Sequence, residues 1–271
     1  MKYAVVTTFH REGYDLYARR MIQTFLQNWP KDITLYAYHQ DVIPNERAEN
    51  LVLRDLENSC SDLVAFKERW KNDPKARGFT DDSTKQHNDK KEKKGFKWDA
   101  IRFSHKVYSI FHCAKHCDAD VLFWMDADTV CHSPINSYFI GTMAPINIDI
   151  GYLGRNNKYS ECGLYSLNLR SESVQQFLKD FQSVYDDAEN GIFLMKEWHD
   201  SFVFDRIREK NKELREYNWS QGLIEGEGHP LINSEWGGYL DHLKGKRKRF
   251  GRSEVNDLKR PRSEAYWRRA H

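Results

Sequence analysis

Five consecutive apolar residues that end in two aspartates constrain the fold of this chain more than any other feature. The run from Val121 to Met125 is followed directly by Asp126, Ala127 and Asp128. Such a run is long enough for a strand buried on both faces and too short to require a helix. In open α/β sheets, ligands bind beyond the carboxyl ends of the strands. The two aspartates are therefore predicted to lie at a ligand-binding edge of a sheet.

The segments on either side of this run predict an alternation of strands and helices. Apolar patterns predict strands at 3–9, 33–39, 148–153 and 165–169, and helices at 14–29, 55–70, 171–185 and 198–211. A further helix, with Phe103, Val107 and Ile110 on its apolar face, precedes the strand that ends at Met125. The sequence thus predicts an α/β fold with a mixed, mostly parallel central sheet and helices on both faces.

The length of the chain fits one catalytic domain, which we place at residues 1–250. Residues 71–95 are rich in small polar residues and lysines, and we predict a flexible insertion there. This insertion is either a solvated loop or a lid over a substrate cleft. Residues 251–271 are predicted to form a basic C-terminal tail.

The charge of the chain limits the classes of partner it is expected to bind, and its cysteine content indicates its compartment. The 42 Lys and Arg residues nearly balance 40 Asp and Glu, so no nucleic-acid partner is expected for the chain as a whole. Residues 244–271 are basic, however, and two alternatives stay open for them: peripheral contact with a membrane, and nucleic-acid binding. No apolar stretch approaches the length of a transmembrane helix, and no signal peptide is visible. The odd number of cysteines, five, suits reduced thiols and predicts a cytoplasmic protein.

The aspartate pair predicts a site for a divalent cation. Residues i and i+2 of a continuing strand point to opposite faces, so Asp126 and Asp128 share one ion only if the chain turns at Ala127. Carboxylate oxygens suit Mg²⁺ or Mn²⁺, which take the rest of their ligands from substrate phosphates and water. We therefore expect Mn²⁺ or Mg²⁺ bound together with a diphosphate.

The stretch from Trp124 to Thr129 resembles the Asp-x-Asp motif of the GT-A glycosyltransferases, which have a Rossmann-like nucleotide-diphospho-sugar transferase fold. The resemblance implies that Asp126 faces the ribose and the metal, that Ala127 borders the donor, and that Asp128 binds the metal.

The segment 241–246 is similar to the C-terminal His-x-x-Gly-x-Lys segment of the glycogenin and lipopolysaccharide galactosyltransferase type. This resemblance implies that His242 completes the metal shell and that Lys244, Gly245 and Lys246 grip the diphosphate. The spacing of charges differs from the family pattern, and the Pro-Trp that often follows is missing.

The same resemblance implies further donor-binding residues and two carboxylates near the reacting sugar. The expected contacts to the nucleotide come from Thr7, Thr8, Phe9, Lys97, Asp99 and Arg102. Glu161 lies in a loop that leads into the strand expected to floor the donor sugar. Asp200 starts a late helix, where it would be the base of an inverting enzyme or would contact the donor sugar of a retaining one.

We therefore predict a metal-dependent hexosyltransferase that moves a sugar, most plausibly from a UDP-sugar, to a glycan or similar hydroxyl acceptor. The main alternative is a haloacid-dehalogenase-like Mg²⁺ phosphatase, since Asp126-Ala127-Asp128-Thr129 also fits its signature. That family carries the motif on its first strand, whereas a complete β-α-β unit precedes it here. A zinc site from His112, Cys113, His116 and Cys117 is not expected, because no distant Cys pair completes a tetrahedron.

Overall fold

The computed structural model describes residues 1–80, 94–223 and 229–268. Thirteen of the residues predicted to form the flexible insertion, 81–93, lie outside the described residues, as do the last three residues of the predicted basic tail.

The described chain contains eleven strands and eleven α-helices, together with a π-helical turn and short 3-10 turns. The strands are β1 Tyr3–His10, β2 Thr34–Gln40, β3 Leu51–Asp55, β4 Arg77–Phe79, β5 Lys94–Asp99, β6 Val121–Met125, β7 Thr129–Cys131, β8 Ile150–Tyr152, β9 Leu164–Asn168, β10 Glu216–Asn218 and β11 Leu240–His242. The helices are α1 Arg11–Gly13, α2 Arg19–Asn28, α3 Leu56–Ser59, α4 Ser61–Trp70, α5 Ala100–His116, α6 Ser137–Met143, α7 Glu172–Asp186, α8 Asp200–Lys210, α9 Pro230–Asn233, α10 Arg247–Phe250 and α11 Ala265–Arg268.

A seven-stranded mixed sheet forms the centre of the molecule, with the order β10-β8-β9-β6-β1-β2-β3. Only β9 runs antiparallel to its neighbours, β6 and β8. All the other pairs are parallel. The carboxyl ends of the six parallel strands therefore lie at one edge, and the predicted mixed, mostly parallel α/β sheet is confirmed.

Helices cover both faces of the sheet, as the strand pattern of β6 predicts. Leu122 and Trp124 contribute to a core with α4, α5, α7 and α8 on one face. Val121, Phe123 and Met125 contribute to a core with α2 and α6 on the other face. All five side chains of β6 are buried because each face of the strand has its own hydrophobic core.

Several element boundaries differ from the sequence prediction. The first helical segment begins at Arg11 and passes through a π-helical turn, Tyr14–Ala18, before α2. Strand β3, Leu51–Asp55, was not predicted, and the helix predicted at 55–70 is split into α3 and α4 around Cys60. Strand β3 is half-buried and lies at the sheet edge, so it lacks the apolar run that marks β6.

Two helices begin at the edge of the sheet where the parallel strands end. Asp99 caps α5, and its side chain accepts a hydrogen bond from the Arg102 amide at 3.0 Å. His199 caps α8, with its ring accepting from the Phe202 amide at 3.3 Å. Asp200 is therefore the first residue of α8, within the region predicted for it.

The described part of the predicted basic tail packs against the body of the protein. Buried Asp241 accepts hydrogen bonds from the Ser253 amide at 2.8 Å and from the Tyr266 hydroxyl at 2.7 Å. The Trp267 indole is buried and donates to the Gly237 carbonyl at 2.8 Å. Residues 251–268 are thus held to the domain by side-chain contacts along their length.

No helix within the described ranges is long and apolar enough to cross a membrane. The five cysteines, all of them described, are free thiols.

Candidate functional site

A cavity of about 640 Å³ opens at the carboxyl ends of β1, β2 and β6. This size lies within the range typical of small-molecule sites. Its walls include eight of the residues predicted to bind substrate or metal: Thr8, Phe9, Asp99, Arg102, Asp126, Ala127, Asp128 and Asp200. The sheet edge predicted from the apolar run therefore carries a cavity lined by the predicted aspartates.

The chain turns directly after β6, as a shared ion requires. The Asp126 amide donates to the Gly163 carbonyl at 2.8 Å, and the Thr129 amide donates to the Asp126 carbonyl at 3.1 Å. This turn places both carboxylates within reach of the same imidazole nitrogen, Nε2 of His242, at 3.4 Å from Asp126 Oδ2 and 3.2 Å from Asp128 Oδ1. Asp126 and Asp128 therefore face a common point.

Strand pairing brings His242 to that point from far along the chain. Strand β11 pairs antiparallel with β7 in a register that sets His242 opposite Thr129, the residue after Asp128. The ring also lies against Gly163, where a Cβ atom would come within 2.5 Å of the imidazole. Position 163 must therefore be glycine for the histidine to keep this place.

A buried carboxylate lies behind the histidine. Glu161 Oε1 is 2.9 Å from Nδ1 of His242, 3.3 Å from Nδ1 of His229 and 2.8 Å from Nζ of Lys244. The bond to Glu161 holds the Nδ1 proton of His242 and leaves Nε2 directed at the two aspartates. Glu161, predicted to act catalytically at the sugar, is buried and is not among the residues that line the cavity, and its described contacts are with His242, His229 and Lys244.

Lys106, on α5, joins the aspartate pair to the start of α8. Its Nζ lies 3.1 Å from Asp126 Oδ1, 2.6 Å from Asp200 Oδ2 and 2.5 Å from the Cys162 carbonyl. The three protons of the ammonium thus have three acceptors. The side chain also lies over the Trp124 ring, 4.5 Å from its centroid. Lys106 therefore fixes the separation between Asp126 and Asp200.

Lys248 supplies a second cation at the aspartates. Its Nζ is 2.8 Å from Asp128 Oδ2 and lies over the Tyr17 ring at 4.8 Å. The resemblance pointed to Lys244, Gly245 and Lys246 as the diphosphate-gripping residues, but none of the three lines the cavity. Gly245 has a φ of +58°, and the turn it forms directs the following helix, α10, so that Lys248 lines the cavity.

Neighbouring charges perturb the ionisation of the central groups. Burial by itself raises the pKa of Asp126, but Lys106 and His242 outweigh it and hold the pKa below its usual range. At Asp128 burial also raises the pKa, but His242 chiefly outweighs this effect, and the pKa of Asp128 is lowered. At His242 burial opposes the charged form, yet Asp128, Asp126 and Glu161 raise its pKa well above the ordinary value. The carboxylates therefore favour positive charge at their meeting point.

The donor set fits a divalent cation of the Mn²⁺ or Mg²⁺ type. One ligand atom each from Asp126, Asp128 and His242 lies within 4.8 Å of the others. Carboxylate oxygens and an imidazole nitrogen, with space on the cavity side, suit Mn²⁺ well. A second convergent group, Glu161, His229 and His242, is fully buried and is also contacted by Lys244, whose charge opposes a cation.

The remaining predicted residues lie outside the cavity wall. Thr7 is buried in β1, and Lys97 forms an ion pair with Glu197 at 3.1 Å. Lys106 and Lys248, in contrast, contact the aspartates and were not predicted as site residues. For Lys106 a signal was present, since it shares a helix face with Asp99 and Arg102.

Comparisons with known proteins give matches among solved structures alone. No protein-family model matches the chain, and no curated protein matches it by sequence. The chain is similar to the apo crystal structure of mouse xyloside xylosyltransferase 1, with 13% identity, a TM-score of 0.43, and coverage of 80% of this chain and 85% of that one.

Two further matches are to parts of longer chains. The bifunctional glycosyltransferase WbbM matches at 13% identity and a TM-score of 0.46, over 80% of this chain and 38% of its own. The glycosyltransferase GlyE of Streptococcus pneumoniae matches at 9% identity and a TM-score of 0.44, over 80% of this chain and 45% of its own. The chain thus spans less than half the length of these two proteins.

Proposed function

We propose that this protein is a metal-dependent glycosyltransferase that moves a hexose from a nucleotide-diphosphate sugar to a hydroxyl acceptor. The observation that carries the proposal is the convergence of Asp126, Asp128 and His242 on one point beside the cavity, whose wall includes the two aspartates. The resemblance of residues 124–129 to the Asp-x-Asp motif and of residues 241–246 to the His-x-x-Gly-x-Lys segment implies a metal-binding role for these same three residues. We propose that the activity resides in one catalytic domain, residues 1–250.

A bound Mn²⁺ or Mg²⁺ would be held by Asp126, Asp128 and His242 and would neutralise the charge of the leaving diphosphate. The residues of the chain supply the remaining electrostatics. Lys248, 2.8 Å from Asp128, adds a positive charge on the same side of the cavity as the proposed diphosphate. Glu161 keeps the His242 ring oriented by holding its Nδ1 proton.

Asp200 is the carboxylate proposed to contact the reacting sugar. It lines the cavity, and its 2.6 Å contact with Lys106 holds it on the side of the cavity next to Asp126. Lys106 is a positioning residue because it holds both carboxylates at a set separation. This arrangement keeps Asp200 in the same small volume as the metal-binding point, where the bond to the leaving group breaks.

For the donor we propose a uridine diphosphate sugar, on the resemblance to GT-A enzymes. The nucleoside would occupy the part of the cavity lined by Thr8, Phe9 and Arg102, at the ends of β1 and α5. The five free thiols support a reducing, cytoplasmic compartment. The phosphatase alternative requires Asp126 as a nucleophile directly after the first strand of the sheet, whereas Asp126 follows β6, with β1 and β2 earlier in the chain.

A thermal-shift screen tests the proposal directly. UDP, GDP and their hexose conjugates are added with and without Mn²⁺, and the midpoint of unfolding is measured. A ligand that binds only the native state raises this midpoint. At a ligand concentration a hundred times its Kd, it adds about 2.7 kcal/mol to the free energy of unfolding. We expect the largest shift from a UDP-sugar with Mn²⁺, lost in the His242→Ala variant. Absence of any nucleotide-dependent shift would reject the proposal, and release of phosphate from phosphate monoesters would support the phosphatase.

A further inference from the structure

The side chains of the helical turn α10 divide into two groups. Lys248 faces the cavity proposed for the donor, where its Nζ is 2.8 Å from Asp128 Oδ2. Lys246, Arg249 and Phe250 are exposed, and their spacing of three and four positions places them next to one another on a different side of the turn. Two cations and an aromatic ring therefore project together from the surface of the protein.

A second exposed apolar side chain lies next to Phe250. Phe250 and Val255 are 67% and 49% exposed, and both line one surface depression of about 550 Å³. Arg247 of α10 donates twice to the carboxylate of Asp257, which belongs to the 3-10 turn Val255–Asp257, and this ion pair ties the two turns together. The two apolar side chains therefore project from one folded unit.

Two further cations lie beside this unit. Arg20, on α2, donates to the carbonyl of Gly251 at the end of α10. Arg252 lines the depression itself. Glu254 is the one carboxylate among the described lining residues of the depression, and it accepts a hydrogen bond from the Asp257 amide. The surface around the two apolar side chains is therefore positively charged.

Exposed apolar side chains surrounded by cations match the interface of an anionic lipid bilayer. The apolar groups enter the boundary between head groups and acyl chains, while the cations stay among the anionic head groups. Reversible binding needs both signals, because either one alone is weak. A nucleic acid would also attract the cations and could stack on Phe250, but it offers no apolar phase to Val255. Of the two alternatives left open for residues 244–271, the structure therefore favours the membrane.

We propose that this surface docks the protein on an anionic membrane. The docking surface, which we call the α10 surface, consists of Arg20, Lys246, Arg249, Phe250, Arg252 and Val255. Because Lys248 of the same helical turn lines the donor cavity, docking would hold that wall of the cavity one helix diameter, about 10 Å, from the bilayer. The inference does not depend on the proposed glycosyl transfer.

Cosedimentation of the full chain with lipid vesicles tests the proposal. One set of vesicles is phosphatidylcholine alone, and the other contains about one-third phosphatidylglycerol. We expect binding to the anionic vesicles to be about tenfold or more tighter than to the neutral ones, and to weaken as added salt screens the charges. Inorganic phosphate at the same phosphate concentration is expected not to displace the protein, because it offers no apolar phase to Phe250 and Val255.

Two double variants separate the apolar contribution from the charges. Phe250→Ser combined with Val255→Ser is expected to lower the affinity for anionic vesicles by about tenfold or more, because the side chains that enter the bilayer are lost. Lys246→Ala combined with Arg249→Ala is expected to lower it by about fivefold for each charge removed. All four residues are exposed, and thermal unfolding checks that each variant folds as the parent does.

Matched controls come from the opposite face of the central sheet. Leu194→Ser changes a side chain that is 74% exposed, in a 3-10 turn that packs on the other hydrophobic core from the one that includes Trp267. Lys179→Ala combined with Lys210→Ala removes two exposed charges from α7 and α8, which pack on the same core as Leu194's turn. Both controls are expected to bind anionic vesicles as the parent does.

Three results would overturn the membrane proposal: no binding to anionic vesicles, full binding by the Phe250 and Val255 double variant, or an equal loss in the Leu194 control. If the chain binds a single-stranded oligonucleotide but no vesicle, and the same double variant loses that binding, the α10 surface is a nucleic-acid site instead. None of these measurements involves a nucleotide sugar, so failure of the docking proposal and failure of the proposed glycosyl transfer are distinguishable.

Discussion

Two groups of residues of the types that bind metals differ in how their spacing in the sequence relates to their distances in space. His112, Cys113, His116 and Cys117 lie within six positions of one another on or just after α5, yet they do not converge into a ligand set. Asp126, Asp128 and His242 span more than a hundred positions, yet their ligand atoms lie within 4.8 Å of one another. Closeness in the sequence is therefore a poor guide here to which potential metal ligands lie close together in space.

The helix explains why the local cluster is dispersed. His112 and His116 stack on each other, with ring centroids 4.1 Å apart, and His112 Nδ1 bonds the Tyr38 hydroxyl at 2.7 Å. Cys113 is buried on a different face, one residue along. Successive residues of a helix project about 100° apart, so four ligand types within two turns of a helix do not all point to one place. The edge of a sheet, in contrast, gathers residues from separate segments at one place.

The largest expected effect is at the convergent group. Asp128→Asn removes a negative ligand, and we expect Mn²⁺-dependent hydrolysis of a UDP-sugar to fall by about three orders of magnitude, since metal binding at the leaving group contributes several kcal/mol. The measurement is release of UDP, with circular dichroism to check the fold. Asp118→Asn, at an exposed surface ion pair with Lys2, is the control and is expected to keep full activity. Unchanged turnover in Asp128→Asn would remove the metal assignment.

The second largest expected effect is a loss of stability. Lys106→Met keeps the length of the side chain but leaves Asp126 and Asp200 without their shared cation, so we expect the free energy of unfolding to fall by about 3 kcal/mol. Urea unfolding of the metal-free protein measures it. Lys115→Met, on the exposed side of the same helix, is the matched control. Equal stability of the two variants would show that the Lys106 ion pairs contribute nothing net.

A smaller effect is expected where a residue acts through the ligand. Glu161→Gln weakens the hold on the Nδ1 proton of His242, and we expect the affinity for Mn²⁺ to fall by about 10- to 100-fold. Calorimetric titration with Mn²⁺ measures the affinity, with the exposed Glu189→Gln as control. If Glu161→Gln binds Mn²⁺ as the parent does, the glutamate does not orient the histidine.

The smallest effect is expected at the cluster that does not converge. His116→Ala removes an exposed ring, so we expect unchanged Mn²⁺ affinity and a change in unfolding free energy within about 0.5 kcal/mol. His242→Ala, measured beside it, is expected to lose Mn²⁺ binding. Zinc that copurifies with the parent protein and is lost in His116→Ala would overturn the contrast between the two groups.

Some features of the site were predictable because they depend on short stretches of sequence. Strand β6 was predicted with its observed bounds, since five apolar residues in a row have no exposed face to obscure the pattern. The turn at Ala127 followed from the requirement that two nearby carboxylates share one ion. Strand β3 was not predicted, because Arg54 and Asp55 in its half-buried sequence mask the pattern of a strand.

Other features depended on how distant segments meet. The basic run after His242 offers several lysines, and the conformation at Gly245 and the course of α10 decide that Lys248 reaches Asp128. Glu161 was recognised as a notable carboxylate, but its distance from His242 in the sequence hid their contact. The structure shows it in contact with the His242 ring, and its predicted role at the sugar stays a prediction.

The sequence by itself determined the buried strand, the sheet class and the acidic turn at the strand end, because apolar periodicity and carboxylate chemistry act over a few residues. The tertiary structure alone decided which side chains complete the site. The register of β11 on β7 sets His242 opposite Thr129, and the packing of α5 brings Lys106 between Asp126 and Asp200. Such contacts depend on strand register and helix packing across long separations, which no local pattern records.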